Sequence, residues 1–111
     1  MIRKPKAYIV TNKDLDTSSA EVYGDVVVLF EQTPPNLFQL ATHAYTLRSL
    51  LKDAVENDYI ILAGNRILEH ITCMIMFERF GYVNFLLYDS RNNIYVPKVL
   101  YKHQLQIIKE V

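Results

Sequence analysis

The stretch that decides the fold runs from Asp58 to Asp89 and divides into three parts. Asp58–Asn65 reads DYIILAGN, Arg66–Phe80 reads RILEHITCMIMFERF, and Gly81–Asp89 reads GYVNFLLYD. A short apolar run ending in Gly-Asn, a segment of helical length that glycine stops, and a second apolar run are typical of a strand, a helix and a strand. Two strands joined by a helix lie parallel in one sheet, so this stretch predicts an α/β fold.

The rest of the chain adds three strands and one helix to this unit. Lys6–Thr11 is β-prone, and Asp25–Glu31 carries three valines, a leucine and a phenylalanine in succession, which is typical of a strand buried on both faces. Apolar residues recur every three or four positions between Asn36, the expected N-cap, and Asn57, and predict an amphipathic helix over these residues. The predicted core stripe of this helix is Leu37, Leu40, Ala41, Ala44, Leu47, Leu51 and Val55. Ile94–Val96 follows a turn-rich segment and predicts a C-terminal β-hairpin.

These elements predict a single α/β domain over residues 1–111, because two domains of this total length would each be too small to bury a core. The predicted architecture is a small Rossmann/flavodoxin-like, mostly parallel sheet of about five strands, with two main helices and a C-terminal β-hairpin. If the first strand lies between the second and the third, the strand order is 2-1-3-4-5. The segment from Lys98 onward fits a strand and a helix equally, and we assign it to neither.

Composition limits the classes of partner. Half of the residues are apolar, 22% are charged, and 12 basic residues balance 12 acidic ones. Proteins that bind nucleic acid are usually basic overall, so we do not expect a nucleic-acid partner. No apolar run reaches the length of about 18 residues that spans a membrane, and the first residues are too polar for a signal peptide, so we expect a cytoplasmic protein. Zero net charge combined with eight Tyr and five Phe favours a homodimer.

A candidate ligand site lies at the carboxyl edge of the predicted sheet. In the order 2-1-3-4-5, the connections change direction between the first and third strands, and open α/β proteins bind ligands at such a point. Glu31–Thr33, after the second strand, lies nearby. Backbone N–H groups, cations, amides and a hydroxyl there suit a small phosphorylated ligand such as a nucleotide. The predicted ligand-binding residues are Thr11, Asn12, Lys13, Gly64, Asn65 and Arg66.

A second interpretation of the same residues needs no ligand. Gly-Asn is a common strand-to-helix turn in which Asn65 caps the helix. Neither a GxGxxG motif nor a phosphate-binding loop with a glycine and lysine pattern accompanies it. The sequence leaves both interpretations open.

Catalytic chemistry has fewer candidates. Glu69 and His70 lie in the first two turns of the second helix, near the candidate site, and His70 could act as a general acid or base. His70 is equally explained as a half-buried residue bonded to a neighbour. The single cysteine, Cys73, excludes a multi-cysteine metal site and is expected to be a small buried side chain.

Acidic residues that follow the first, second and fourth strands could together bind a magnesium ion. These residues are Asp14, Asp16, Glu31 and Asp89. No pair of acids ends the first strand, so we expect them to cap turns instead, and we predict neither a metal nor another cofactor.

The second helix is apolar almost all round. Its apolar positions are Ile67, Leu68, Ile71, Met74, Ile75, Met76, Phe77 and Phe80. Such a helix is buried on more than one side. Because the chain is short for a helix sandwiched inside one subunit, the pattern favours a partner subunit on the outer side.

Several runs resemble small proteins encoded by tailed phages. They are Tyr8–Asn12 (YIVTN), Ile61–Asn65 (ILAGN), Phe80–Asp89 (FGYVNFLLYD) and Tyr95–Pro97 (YVP). The resemblance implies a phage accessory protein that binds a host protein or captures a host signal molecule, in the host cytoplasm. No catalytic residue is assigned from this resemblance, because it indicates biological context by analogy only.

We therefore expect a non-enzymatic binding module that holds a small phosphorylated or nucleotide ligand, or a host protein. Two alternatives remain. One is a small nucleotide-cleaving enzyme that uses His70 or Glu69. The other is a pure protein-interaction or inhibitor protein that acts as a homodimer.

Overall fold

Strands and helices alternate along most of the chain. The computed structural model describes residues 3–11 and 16–105. The strands are β1 (Lys6–Thr11), β2 (Asp25–Phe30), β3 (Tyr59–Ile61), β4 (Tyr82–Asp89) and β5 (Ile94–Tyr101); the helices are α1 (Leu40–Leu50) and α2 (Arg66–Phe80), with 3-10 helices at Ser18–Val22 and Lys102–Leu105. None of the helices in these described ranges is long and apolar enough to cross a lipid bilayer.

The five strands form one mixed sheet in the order β2-β1-β3-β4-β5, so the condition that the first strand lies between the second and the third is met. β1 pairs in parallel with β2 and with β3, and β3 pairs in parallel with β4. β5 runs antiparallel to β4, from the pair Asp89 and Ile94 to the pair Tyr82 and Tyr101. The α/β class, the five strands, the two main helices and the C-terminal antiparallel pair are confirmed.

Both helices cover the same face of the sheet, whereas a Rossmann-like sheet carries helices on both faces. On one face, Tyr8 packs in a cluster with Leu51, which follows α1, and with Met76 of α2. The next residue of β1, Ile9, points to the other face and packs with Ala20. A right-handed connection from β1 to β2 must cross this second face. Within residues 16–24, the described part of this connection, the helical segment is the 3-10 helix Ser18–Val22, which is shorter than a full α-helix.

α1 is shorter than the predicted helix over residues 36–57, and that prediction was wrong at both ends. Asn36 does not cap α1, because its Oδ1 accepts the N–H of Phe38, 3.2 Å away, in a tight turn. The carbonyl oxygen of Asn36 lies 2.6 Å from Nε2 of His43. Local hydrogen bonds of an asparagine thus compete with helix formation and delay the first helical residue to Leu40.

α2 begins and ends at the predicted residues. Oδ1 of Asn65 accepts the N–H of Leu68 at 3.1 Å and caps the first turn. Gly81 adopts a left-handed conformation with φ of 80°, and its N–H bonds to the carbonyl of Phe77 at 2.9 Å. Glycine reaches this conformation without strain, so the helix ends there.

β5 is longer than the predicted strand Ile94–Val96 and continues through Pro97 to Tyr101. β5 lies at the end of the strand order, where a proline that cannot donate a ladder hydrogen bond is tolerated. The segment that we left unassigned therefore starts as a strand and continues as the 3-10 helix Lys102–Leu105. Residues 106–111 lie outside the described residues.

A buried carboxylate, Asp58, ties three segments together where β3 begins. Nη1 and Nη2 of Arg3 donate to its two oxygens at 3.1 Å and 2.7 Å. The backbone N–H groups of Lys6 and Val55 donate to the same carboxylate at 3.0 Å and 2.9 Å. The side chain of Asp58 is fully buried, and four hydrogen bonds offset the free energy of removing its charge from water.

Replacing Asp58 by asparagine is expected to lower the free energy of unfolding by about 3 kcal/mol, because a buried acceptor and an ion pair are lost together. Urea unfolding followed by circular dichroism measures this. The control is Asp25→Asn, which removes the exposed ion pair between Lys4 and Asp25 (3.1 Å). This control should change stability little, since exposed pairs contribute little. Equal losses from the two variants would contradict the prediction.

Candidate functional site

The carboxyl edge of the sheet brings the end of β1 against the turn between β3 and α2. The backbone N–H of Asn65 donates to Oγ1 of Thr11 at 2.9 Å. Thr33, from the connection between β2 and α1, joins these residues together with Ala63 and Gly64. The five residues line a recess of about 200 Å³. Thr11, Gly64 and Asn65 therefore meet where the strand order places them.

Of the three remaining predicted ligand-binding residues, the structure describes Arg66. Arg66 is exposed at the first position of α2 and does not line the recess. Asn12 and Lys13, like the acidic Asp14, lie outside the described residues. The described part of the recess is thus polar and contains no cationic side chain in its lining.

Gly64 is required for the close approach of the turn to β1. A Cβ atom at this position would lie 2.6 Å from Cγ2 of Val10 and 2.9 Å from the backbone nitrogen of Thr11. Both distances are shorter than ordinary van der Waals contacts, so a larger residue would push the turn away from the strand. Packing accounts for this glycine without a ligand.

The N–H groups expected to bind an anion are largely used within the protein. Gly64 donates to Oε2 of Glu69 at 2.6 Å, Asn65 donates to Thr11, and Leu68 donates to Oδ1 of Asn65. The carboxylate of Glu69 also places a negative charge at the amino end of α2, where the helix dipole favours anions. An anionic ligand at this position would have to displace Glu69 or bind when it is protonated.

Glu69 is half-buried, and burial raises the pKa of its carboxyl above the ordinary value. Hydrogen bonds from the backbone of Gly64 and Ala63 lower this pKa, as do the charges of His70 and Arg66, but they offset burial only in part. Ionised Glu69 is therefore less favourable in the folded protein than in water. Perturbed carboxyls of this kind are more frequent at functional sites than elsewhere.

Glu69 and His70 face different surfaces of the protein. Glu69 bonds to Gly64 at the sheet edge, whereas His70 is exposed and lines the surface between α1 and α2. Consecutive helical residues point about 100° apart, and no hydrogen bond joins these two side chains in the described part of the chain. Burial, together with the charge of Glu69, raises the pKa of the Cys73 thiol to about 11, so this cysteine stays protonated at neutral pH.

The described acidic residues at the strand ends include two that cap turns, as predicted. Oδ1 of Asp16 accepts the N–H of Ser18 at 2.9 Å. Asp89 accepts the N–H of Arg91 at 3.1 Å and the side-chain amide of Asn92 at 2.9 Å. Within residues 3–11 and 16–105, no three His, Cys, Asp or Glu residues lie close enough together to hold a metal ion.

A larger apolar groove lies between α1 and α2, on the side of the helices away from the sheet. Its volume is about 650 Å³. Phe38 is 88% exposed, Met74 67% and Leu40 53%. We call this groove and its exposed apolar rim the α1–α2 face. The apolar residues that define it are Phe38, Leu40, Ala44, Ile67, Ile71 and Met74.

The sequence predicted the part of the α1–α2 face that α2 contributes, but not the part that α1 contributes. The apolar pattern of α2 correctly indicated a second apolar side. On α1, the same spacing assigned Leu40 and Ala44 to the core, but of the predicted stripe within α1 only Leu47 is buried, followed by Leu51 just after the helix. Taken together, the two apolar patterns would have indicated the groove, since both helices carry more apolar positions than one sheet face can cover.

Replacing Glu69 by glutamine is expected to change how stability depends on pH. Because the pKa of Glu69 is raised on folding, its contribution to stability is present below the unfolded-state pKa and is lost as pH rises through the folded-state value. Glutamine can still accept from Gly64 but does not titrate. The melting temperature of the variant, relative to wild type, should therefore rise as the pH increases above about 4.3, the ordinary pKa of a glutamate.

Differential scanning calorimetry across this pH range measures the effect. Glu31→Gln, at an exposed position after β2, is the matched control and should show no comparable trend. A difference between Glu69→Gln and wild type that is constant with pH would contradict the prediction.

Comparison with known proteins identifies one family. Residues 2–102 match a family model described as phage Pam3 gp32-like protein. No curated protein and no solved structure matches the chain. The matched range contains every strand and both main helices, and it agrees with the resemblance to small phage proteins noted in the sequence. The chain belongs to the phage Pam3 gp32-like protein family.

Proposed function

We propose that this phage protein is a non-enzymatic binding module that acts by contact with another protein chain. The α1–α2 face is its docking surface, and its place of action is the host cytoplasm, where phage genes are translated. The observation that carries the proposal is the groove of about 650 Å³ with an exposed apolar rim.

The composition of the α1–α2 face supports protein contact. Phe38 and Met74 leave most of their side chains in water, at 88% and 67% exposure. Contiguous exposed apolar surface is uncommon on monomeric proteins and usually marks an interaction site. A groove between two helices is also a shape that accepts a side chain or a helix from a partner.

Catalysis is supported less well than binding. A nucleotide-cleaving site that combined Glu69 and His70 as acid and base would need both side chains at one substrate. Glu69 faces the sheet edge and His70 faces the α1–α2 face, so the two side chains serve different surfaces. The geometry therefore favours a binding role.

Site-specific photo-crosslinking in the host tests the docking surface. A photo-crosslinking amino acid in place of Met74 is expected to form an adduct with another protein chain, because this position lies in the proposed contact. The same amino acid in place of Val22 is the control, since Val22 is 83% exposed but lies on the 3-10 helix at the opposite face of the sheet.

Adding Phe38→Glu to the chain that carries the crosslinking amino acid at position 74 should remove the adduct, because a charge would then lie in the apolar contact. Adducts of equal yield from positions 74 and 22, or from neither position, would overturn the proposal.

A second candidate function is the binding of a small phosphorylated ligand or nucleotide at the recess. It is supported by the recess of about 200 Å³ at the carboxyl edge between β1 and β3. Flavodoxin-like proteins bind their ligands at this point of the sheet. The comparison holds if the 3-10 helix Ser18–Val22 stands in the position of their first helix. Thr11 and Thr33 supply hydroxyl groups, and Asn65 supplies a side-chain amide.

Thermal shift measurements with inorganic phosphate and nucleoside phosphates test this candidate. A ligand that binds the folded state raises the melting temperature, and Arg66→Ala should reduce the shift because a nearby cation is lost. Arg91→Ala, at an exposed position in the turn between β4 and β5, should leave the shift unchanged. No shift at millimolar ligand would exclude the candidate.

A further inference from the structure

We propose that a second copy of this chain covers the α1–α2 face, in a symmetric dimer whose two-fold axis runs along the helices. This inference rests on the proposed function, because it names the partner of the same surface. It follows from the direction of the two helices, from the charges at one end of the groove and from an exposed aromatic ring at the other.

The direction of the helices determines which residues a symmetric partner would meet. α1 and α2 each lead from the end of one parallel strand to the start of another, so the two helices run in the same direction. A two-fold rotation about an axis in that direction leaves every residue at the same position along the axis. It moves each residue to the opposite side of the axis. α1 of one copy then lies over α2 of the other, and the reverse.

The charges at the carboxyl end of the groove are complementary in this arrangement. Arg48 of α1 and Glu78 of α2 both line the groove and the small recess at its end, so they lie at a similar height. No ion pair within 4.0 Å joins them among the described residues. In the dimer, Arg48 faces the partner's Glu78 and Glu78 faces the partner's Arg48, which forms two equivalent pairs.

The amino end of the groove carries a protruding ring next to open space. Phe38 precedes α1 and is 88% exposed, while Ile67 and His70 line the neighbouring half of the groove on α2. With α1 over the partner's α2, each Phe38 reaches the half-groove of the other copy. A protrusion and a recess on one surface are what a two-fold interface requires. The zero net charge, from 12 basic and 12 acidic residues, adds no repulsion between copies.

Sedimentation velocity of the full chain over a series of concentrations tests the dimer. The expected species has about twice the chain mass of 13.0 kDa. Phe38→Glu should give a monomer. Val22→Glu is its control, with a side chain 83% exposed on the opposite face, and should dimerise like wild type. Thermal unfolding of each variant verifies that it remains folded.

A charge exchange tests the symmetry itself. Arg48→Glu and Glu78→Arg, each alone, place like charges opposite one another and should weaken dimerisation roughly tenfold or more. The two substitutions combined in one chain restore opposite charges at both places, and dimerisation should return. A symmetric contact between copies predicts this recovery of dimerisation, and thermal unfolding of each variant separates it from compensation between Arg48 and Glu78 of one chain.

A wild-type chain that stays monomeric at every concentration would overturn the inference. Dimerisation unaffected by Phe38→Glu would do the same, and so would single charge variants that the double exchange fails to rescue. A monomeric chain whose residue 74 still crosslinks to a different protein rejects the second copy and retains the proposed function. The absence of any adduct specific to residue 74 rejects both.

Discussion

The hydrogen-bonded carboxylate of Asp58 determines where the other parts of the structure meet. Its bond to the N–H of Lys6, at 3.0 Å, holds the first residue of β1 beside the start of β3. The register that follows pairs Ala7 with Tyr59. Because both strands then run in parallel from a common starting level, Thr11 arrives beside the turn that follows β3 and accepts its hydrogen bond from Asn65. The geometry of the recess at the carboxyl ends of the strands thus depends on a hydrogen bond at their amino ends.

Sequence patterns predicted the elements whose causes are local. The boundaries of α2 were correct because Asn65 and Gly81 are adjacent to the helix that they limit. Short, right-handed connections limited the strand order to a few possibilities, one of which is the observed order. The start of α1 was wrong because the hydrogen bonds of Asn36 compete with helix formation, and apolar spacing contains no information about them. The pairing of Arg3 with Asp58 spans 55 positions, which no local pattern reports.

Thr11, Gly64 and Asn65 meet at the carboxyl edge as predicted, but the chemistry of this edge depends on a contact that spacing did not predict. Glu69 turns back to accept the N–H of Gly64 at 2.6 Å. It thereby occupies with its own charge the position that the helix dipole offers to an anion. Packing against Val10 and Thr11 accounts for Gly64, and capping accounts for Asn65. The structure therefore explains the Gly-Asn turn without a ligand, which transfers the stronger functional argument to the α1–α2 face.

Both helices lie on one face of the sheet, and this arrangement leaves the outer side of the helices apolar. The free energies of apolar burial and of association indicate how a partner would be bound there. α1 and α2 lie over one sheet face, and the described residues place no third layer outside them. Fully burying a large apolar side chain contributes about 1.5–3 kcal/mol. Phe38, Leu40 and Met74 are 88%, 53% and 67% exposed, so burying them in both copies would contribute roughly 6–12 kcal/mol. The loss of translational and rotational freedom costs about 4–15 kcal/mol. Since these free energies nearly cancel, apolar burial alone does not produce a stable dimer. The pairs between Arg48 and Glu78 then determine which partner is bound and which others are rejected.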